Sequence, residues 1–226
     1  QQGDPVDLRT IPSVVGGSQK SRHGIVLAKS VPAKELYKVK TGEPLVQAQS
    51  KAGNKLVVVP PRHGLYKEAS DAMINVLQQY SPVVERFSID EAFLDYTGME
   101  LLYGDPVKTA YAIKDNIQNT LGFTVNIGVS TNKLLAKMAS EFQKPNNVHT
   151  LWPHEIPQKM WPLPIGELFM VGKKTAEKLR NKGILTIGDL AKCEVSYVKK
   201  WLKGQGESLW NFANGRYYET SKGGVS

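Results

Sequence analysis

Apolar residues recur three or four positions apart along residues 65–80, and this spacing predicts an amphipathic helix that ends at Ser81-Pro82. The apolar positions are Leu65, Ala69, Met73, Val76, Leu77 and Tyr80. Residues 83–95 have β-forming residues on both sides of Asp90 and Glu91, which predicts a hairpin with two acids at its bend. Beneath that bend we expect a buried apolar face formed by Phe87, Ile89 and Phe93.

A second helix and another strand are predicted after the hairpin. Asp105-Pro106 is typical of an N-cap followed by proline at the first helical position, and it predicts a helix through about Thr120 that Gly122 ends. Apolar and polar residues then alternate over residues 123–129, which predicts a half-buried strand. The order helix, strand, strand, helix, strand is that of a ferredoxin-like unit without its first strand. Residues 56–59 could nominally fill that position, but they include no acid.

The segment after residue 129 predicts a third helix with one basic side. Ser130 and Thr131 can cap this helix. Lys133, Lys137 and Lys144 gather on one side, and Lys137 and Lys144 are about two turns apart, so both could face one anion if the helix extends that far. Alternatively, Lys144 is a helix-end lysine that only complements the helix dipole. The positions expected to face the core are Leu134, Leu135, Met138 and Phe142.

The two ends of the chain differ in character. Residues 1–62 combine glycine, lysine and short apolar runs, which predict a small α/β unit. From residue 152 onward, four prolines precede a helical region in which Gly172 begins a helix near Lys173, Lys174 and Lys178. Backbone amides at a glycine turn that opens a helix can bind phosphate, and nearby lysines strengthen the attraction.

Three further patterns lie in the helical region. Residues 186–189 predict a capping box at the start of another helix. Residues 203–206 predict either a second phosphate-facing turn or a plain loop. We expect a core role, rather than base stacking, for Trp201, Leu202, Leu209, Trp210 and Phe212.

The composition permits a substantial core and narrows the cellular setting. The chain has 226 residues, 41% of them hydrophobic, which suffices for one large or two to three small domains. Its one cysteine, Cys193, excludes an internal disulfide and a cysteine zinc cluster. The sequence contains no apolar run of about 18 residues and no signal-peptide pattern, so we predict a soluble, cytoplasmic protein without a membrane partner. A net charge of +8 permits a polyanionic partner.

Asp90 and Glu91 are the candidate metal ligands. Neighbouring side chains of a regular strand point to opposite faces, so the two carboxylates can share one site only where the backbone bends. Adjacent carboxylates suit Mg²⁺, which is typically bound by one or two carboxylates with phosphates and waters. The alternative is an acidic turn that binds no ligand.

The segment Ser88-Ile89-Asp90-Glu91, with its flanking residues 80–85 and 92–95, resembles the catalytic-palm signature of the Y-family, UmuC-like translesion DNA polymerases. The resemblance implies an α+β fold. Further matches follow in the family's order at residues 33–44, 66–70, 128–147 and 172–190.

This resemblance divides the chain into three expected domains. Residues 1–62 correspond to the fingers and residues 63–151 to an incomplete ferredoxin-like palm. Residues 152–226 correspond to a helical thumb with a helix-hairpin-helix-like motif.

The resemblance also implies roles for individual residues. Asp90 and Glu91 are the expected catalytic residues and ligands of Mg²⁺, with Mn²⁺ as a possible substitute. Lys34, Lys137 and Lys144 are expected to contact the triphosphate of the incoming deoxynucleotide. The residues expected to hold the DNA backbone are Gly172, Lys173, Lys174 and Lys178.

Four positions depart from the family's usual pattern. Val31 and Lys34 stand where the family often has Tyr and Arg, so Lys34 offers a point charge without the bidentate geometry of a guanidinium. Asn147 and Met170 stand where the family usually has Gly, so the turn at Met170 is expected to differ in shape.

Two-metal phosphoryl transfer needs enough carboxylates to bridge both ions, and Asp90 and Glu91 are too few. In the resembling family a further Asp comes from the first palm strand, and the sequence has no such segment. We therefore expect a fragment that is inactive by itself, from a parent that also has a little-finger domain and a sliding-clamp-binding motif.

The function implied for the parent is template-directed DNA synthesis past damaged bases, with primer-template DNA, a deoxynucleoside triphosphate and a sliding clamp as partners. Two other functions stay open: a non-catalytic module that binds the DNA backbone, and a palm-type nucleotidyl cyclase. The helix-hairpin-helix-like segment argues against the cyclase, because a free nucleotide needs no backbone clamp.

Overall fold

The computed structural model describes residues 6–17 and 24–217. The expected fingers and the expected thumb each include residues outside these ranges. The fold divides the chain into two units, residues 1–68 and 69–226. Helices and strands are present in both units, so the predicted α+β class is confirmed. The division into fingers, palm and thumb stays a prediction.

Within residues 6–17 and 24–62, the first unit has a three-stranded sheet and two α-helices. Strand β1 lies in the middle, antiparallel to β2 and parallel to β3. Ser30 caps the first helix, since its hydroxyl accepts a hydrogen bond from the Ala33 amide at 3.1 Å. The elements are β1 Ser13–Gly16, β2 Val26–Lys29, α1 Val31–Tyr37, α2 Leu45–Ala52 and β3 Val57–Val59.

Strand β3 belongs to the sheet of the first unit, so residues 56–59 are not the missing first strand of the palm. Val57–Val59 pairs with β1 inside the first unit's own sheet, with Ser13 opposite Val57. This unit also has its own small core, which includes Val14, Val26 and Leu45. Residues 56–59 therefore complete the sheet of the first unit.

The hairpin forms as predicted, and the long helix forms but ends at Leu77, four residues before the predicted end at Ser81-Pro82. Helix α3, His63–Leu77, precedes the antiparallel strands β4, Val84–Arg86, and β5, Ala92–Leu94. Arg86 ties the hairpin to α3 by donating to the Ser70 hydroxyl at 2.5 Å and to Asp71 at 2.7 Å.

Short helix α4, Glu100–Tyr103, leads into helix α5, Pro106–Leu121. Asp105 caps α5 by accepting from the Lys108 amide at 2.9 Å. Gly122 ends it with a positive φ of 76°, as the sequence predicts.

The next strand is shorter than predicted and has an unforeseen partner. Strand β6 covers only Ile127–Val129, and it pairs in parallel with β7, Val148–Thr150, which the sequence did not predict. Phe123 and Val125 precede β6 and still pack on the core between α3 and α5. The pairs β4–β5 and β6–β7 are separate sheets, and no strand in the described part of the chain joins them, as expected of an incomplete palm.

Helix α6, Lys133–Ser140, starts and ends differently from the prediction. Asn132 caps it, rather than Ser130 or Thr131, because the side-chain oxygen Oδ1 of Asn132 accepts from the Leu135 amide at 2.9 Å. Phe142 lies beyond the end of α6, yet it still packs against the core.

The C-terminal part of the second unit is helical and shares one core with α6. Its capping box is confirmed, since Asp189 N donates to the Thr186 hydroxyl at 3.1 Å and Thr186 N donates to the Asp189 carboxylate at 2.8 Å. The α-helices are α7 Ile156–Lys159, α8 Lys173–Arg180, α9 Ile187–Lys192, α10 Val195–Leu202 and α11 Gly206–Ala213. Single 3-10 turns occur at Gly53–Lys55, Pro153–Glu155, Ile165–Glu167 and Lys203–Gln205.

The core role expected of the aromatic residues is confirmed. Leu209 is buried, and Trp201, Leu202, Trp210 and Phe212 pack against the same core. The Trp210 indole donates to the Cys193 carbonyl at 2.9 Å, so its polar atom is satisfied inside the protein.

None of the helices in residues 6–17 and 24–217 combines the length and the apolar character needed to cross a membrane.

Candidate active site

The hairpin bend brings the two predicted acids to one side. The amides of Phe87 and Ser88 both donate to the Glu91 carbonyl, at 2.9 and 3.1 Å, and this closes the loop between β4 and β5. The Ser88 hydroxyl donates to Asp90 Oδ1 at 2.7 Å and lies 3.5 Å from Glu91 Oε2. Both carboxylates therefore converge on one hydroxyl, which two neighbours on a straight strand cannot do.

The expected buried face beneath the bend is wrong for two of its three residues. The exposed fractions of Phe87 and Ile89 are 48% and 51%, whereas Phe93 is half-buried. The Phe87 ring centroid lies 5.6 Å from that of Phe93, in an edge-to-face arrangement, and 6.2 Å from that of Phe169. The Phe87 ring therefore covers the side of the hairpin. A two-stranded hairpin has too little width to enclose these rings.

Helix α6 places its lysines along the hairpin. Lys137 forms an ion pair with Glu91, and it also reaches Glu141 at 3.3 Å. Lys133, one turn earlier, pairs with Glu85 at 2.5 Å. Burial lowers the pKa of Lys137, but the hydrogen bond and charge of Glu91, with those of Glu141, raise that pKa above its ordinary value overall. An ammonium therefore stands at Glu91.

Lys144 meets Lys137 through Glu141 rather than on one helical face. Helix α6 ends at Ser140, and the Lys144 ammonium pairs with the second Glu141 oxygen at 2.7 Å. Burial raises the pKa of Glu141, but the hydrogen bonds and charges of Lys144 and Lys137 outweigh it, so that pKa lies below its ordinary value. Glu141 thus joins two of the lysines expected to contact triphosphate.

The side-chain amide of Asn126 helps to hold the turn that carries Lys144. Asn126 Nδ2 donates to the carbonyls of Ser140 and Gln143 at 3.1 and 2.9 Å. Its Oδ1 accepts from the Asn147 amide at 3.0 Å. Three hydrogen bonds from one residue fix the path of the chain from the end of α6 through Lys144.

Sequence reasoning missed Glu141 and Asn126. The spacing of Glu141, four residues after Lys137 and three before Lys144, could have indicated the first, because such pairs are neighbours on a helix. No local signal indicates Asn126, whose contacts span 14 to 21 residues of sequence.

The donor atoms at the hairpin bend fit a hard cation. Asp90 and Glu91 supply carboxylate oxygens, the ligand type that Mg²⁺ and Mn²⁺ prefer. The Lys137 ammonium supplies one positive charge at Glu91, where a metal ion would also bind. Within residues 6–17 and 24–217, no group of three or more His, Cys, Asp or Glu side chains could hold a metal, so a third carboxylate is not supplied there.

Lys34 belongs to the first unit. It lies on α1 and its side chain is exposed. Its expected contact with triphosphate stays a prediction.

The glycine turn before α8 is open to solvent. Gly172 is the N-cap and makes no side-chain hydrogen bond, so the amides of the first turn have no side-chain cap. An added Cβ at Gly172 would meet no atom within 4 Å. Lys173, Lys174 and Lys178 are all exposed around this turn. Uncapped amides and three ammonium groups together can attract phosphate.

The segment between α7 and this turn contains no α-helix, although the pattern of residues 168–179 predicts a helix on each side of the turn. Only the single 3-10 turn Ile165–Glu167 is helical there, and Met170 follows with a positive φ of 70°. The side chain where the family usually has glycine is thus accommodated in left-handed backbone. At the second glycine segment, Gly206 packs too closely for a side chain, since its added Cβ would lie 2.6 Å from the Val198 carbonyl oxygen.

Comparisons with known proteins agree with this geometry. Residues 1–141 match the model of the impB/mucB/samB family, and residues 153–184 match the IMS family HHH motif. The DNA polymerase IV of Clostridium acetobutylicum is 52% identical over 215 residues, covering 95% of this chain and 54% of that protein. The DNA polymerase IV of Acetivibrio thermocellus is 43% identical, covering 95% and 53%. The chain spans about half the length of the curated relatives it matches.

Solved structures show the same likeness. The Y-family DNA polymerase chimera Dbh-Dpo4(243-245)-Dbh superposes with a TM-score of 0.83 at 28% identity, covering 97% of this chain and 64% of that one. DinB from Sulfolobus solfataricus superposes with a TM-score of 0.81 at 30% identity, covering 93% and 61%. The resemblance to Y-family polymerases is confirmed. The solved structures that match this chain include a Y-family DNA polymerase. The model of the impB/mucB/samB family covers more than half of this chain, so the chain belongs to that family.

Proposed function

We propose that the whole protein synthesises DNA on a template and past damaged bases, as a DNA-directed DNA polymerase of the Y-family type. The observation that carries this proposal is the convergence of Asp90 and Glu91 at the hairpin bend, beside Lys137 of α6. Carboxylates and lysines side by side suit a reaction in which metal ions and a triphosphate meet.

The residues of the second unit divide the chemistry between them. Asp90 and Glu91 would hold Mg²⁺, or Mn²⁺ in its place, and the bound metal supplies charge neutralisation at the reacting phosphates. Lys137 and Lys144 are proposed to hold the triphosphate, because their ammonium groups lie on one short chain of charges beside the acids. Lys34 is proposed to add a further point charge from the first unit.

The turn at Gly172 is proposed to hold the DNA backbone. Uncapped amides, a glycine with open space in front of it and three exposed lysines favour phosphate contact over base readout. The lysines are Lys173, Lys174 and Lys178.

On the same resemblance we propose a fingers, palm and thumb division at residues 1–62, 63–151 and 152–226. Primer-template DNA and a deoxynucleoside triphosphate are the proposed partners, and a sliding clamp is proposed for the whole protein. The proposed location is the cytoplasm.

A second candidate function is a non-catalytic module that binds the DNA backbone. It is favoured by one observation, namely that the described residues bring no third metal-binding side chain to Asp90 and Glu91. Metal binding separates the two candidates, because the module needs no ion at the hairpin bend.

The experiment is a Mn²⁺ titration of the 226-residue chain followed by electron paramagnetic resonance. The double variant Asp90→Asn, Glu91→Gln should lose the bound ion. The matched control Glu85→Gln, Asp95→Asn makes the same charge change in the same hairpin and should keep it. Equal Mn²⁺ affinity in the first variant and in the unaltered chain would refute the metal site and favour the DNA-binding module.

A further inference from the structure

We propose that Lys137 is an internal counter-ion, which holds Glu91 until a divalent metal ion enters and then transfers to Glu141. This inference rests on the proposed metal site at Asp90 and Glu91. It concerns which group neutralises the Glu91 carboxylate before the ion binds.

The observation is a continuous chain of four charged side chains. Glu91 pairs with Lys137, Lys137 reaches Glu141 at 3.3 Å, and Glu141 pairs with Lys144 at 2.7 Å. The Lys137 side chain is 18% exposed, so solvent screens this pair only partly. One ammonium therefore lies between two carboxylates, and only one of these is a proposed metal ligand.

A metal ion and an ammonium group cannot both remain close to Glu91 without repulsion. Moving Lys137 away from Glu91 would normally leave its partly buried ammonium without a partner, which is costly. Here the cost is small, because Glu141 is already within reach of the same ammonium. The flexible side chain of lysine, with three rotatable donors, suits such a transfer.

The transfer links metal binding to triphosphate binding. When Lys137 turns fully to Glu141, it shares that carboxylate with Lys144 and weakens the hold on the Lys144 ammonium. Lys144 is then more available to a phosphate, and Lys137 can make its own proposed triphosphate contact only after it has left Glu91. The link is reciprocal, so triphosphate bound at Lys144 should favour metal binding at Glu91.

Lys133 offers a matched comparison on the same helix. It also pairs with a glutamate of the hairpin, Glu85, at 2.5 Å. Glu85 lies in β4 opposite Phe93, away from the bend that carries Asp90. Removing the charge of Lys133 changes the same net charge nearby without opening the proposed metal site.

The test is Mn²⁺ affinity, measured by electron paramagnetic resonance on the 226-residue chain. Lys137→Met should bind Mn²⁺ about three- to ten-fold more tightly than the unaltered chain, the size of effect expected when one ion pair no longer competes. Lys133→Met should change the affinity less than two-fold, on the same reasoning. Circular dichroism verifies that both variants are folded, and Lys137→Gln provides a second neutral variant.

A double-mutant cycle tests the transfer to Glu141. Glu141→Gln removes the second acceptor, so Mn²⁺ should bind about two- to five-fold more weakly while Lys137 is present. In the Lys137→Met background the same change should have no effect. A long-range charge effect of Glu141 would instead persist in both backgrounds.

The outcomes separate this inference from the proposed function. If Asp90→Asn, Glu91→Gln removes Mn²⁺ binding but Lys137→Met leaves the affinity unchanged, the counter-ion inference is overturned and the metal site stands. If neither the unaltered chain nor Lys137→Met binds Mn²⁺, both are overturned. Equal gains from Lys137→Met and Lys133→Met would also overturn the inference, because net charge alone would then explain them.

Discussion

Gly128 is the position where the smallest substitution should do the most damage. It lies in β6, with helix α6 directly against it. An added Cβ would lie 1.8 Å from the Ala136 carbonyl oxygen and 2.6 Å from the Ser140 amide nitrogen. Both atoms belong to the backbone of α6, so no rotation of a side chain can relieve the clash. Gly128→Ala must push α6 away from the strand.

The expected cost can be worked from this geometry. Overpacking a core costs about 1–3 kcal/mol, and a clash with backbone belongs at the top of that range or above it. A loss of about 3 kcal/mol lowers the melting temperature by about 6–12 °C in a unit of roughly 150–250 residues. Because α6 carries Lys133 and Lys137, the same change should also disturb their ion pairs with the hairpin.

Thermal unfolding followed by circular dichroism measures the effect. The matched control is Gly204→Ala, because Gly204 is exposed, has no atom within 4 Å of an added Cβ and does not have a positive φ. Its melting temperature should change by less than about 2 °C, since surface substitutions usually cost under 0.5 kcal/mol. A Gly128→Ala protein that melts as the unaltered chain does would show that α6 can move without loss, and would refute the reasoning.

Three further predictions concern DNA, catalysis and pH. Lys173→Ala with Lys174→Ala should weaken DNA binding equally on unrelated duplexes and flatten the slope of log affinity against log salt by about one to two units. The control Lys55→Ala with Lys108→Ala should leave that slope unchanged. A sequence-dependent loss of affinity, measured by fluorescence anisotropy, would contradict this prediction. The chain alone should not extend a primer in Mg²⁺, since two carboxylates are too few for two ions, and robust extension on a gel would show that the acids are misassigned. The lowered pKa of Glu141 contributes stability that is present above its ordinary pKa and is lost as the pH falls through the folded-state pKa. Glu141→Gln should therefore reduce the acid dependence of urea unfolding between about pH 5 and 3. An unchanged dependence would mean that Glu141 contributes no pH-dependent stability.

Much of the secondary structure follows from the sequence, because its signals are local. Asp105 and Gly122 bound α5 as predicted, and each acts on backbone groups within four residues. The Thr186–Asp189 capping box is equally local. The hairpin is also a local structure, since its strands adjoin in sequence and the bend fixes Asp90 and Glu91 at its tip.

The sequence signals were weaker where tertiary packing decides between neighbouring choices. Ser130 and Asn132 are both good helix caps, and only the folded chain shows that Asn132 is used. Alternation predicted a strand from residue 123, but parallel pairing with β7 exists only at Ile127–Val129. The exposure of Phe87 and Ile89 depends on how much structure covers the hairpin, which an alternating pattern does not specify.

By itself the sequence determined the α+β class, the family resemblance and the residue types at the site: carboxylates at a bend, lysines on the following helix and a glycine before α8. Only the tertiary structure decided that Lys137 meets Glu91, 46 residues away, and that Glu141 joins Lys137 to Lys144. The physical reason is the range of the interactions. Caps and turns satisfy backbone groups a few residues away, whereas an ion pair between a helix and a hairpin depends on the packing of α6 on β6, which Gly128 permits.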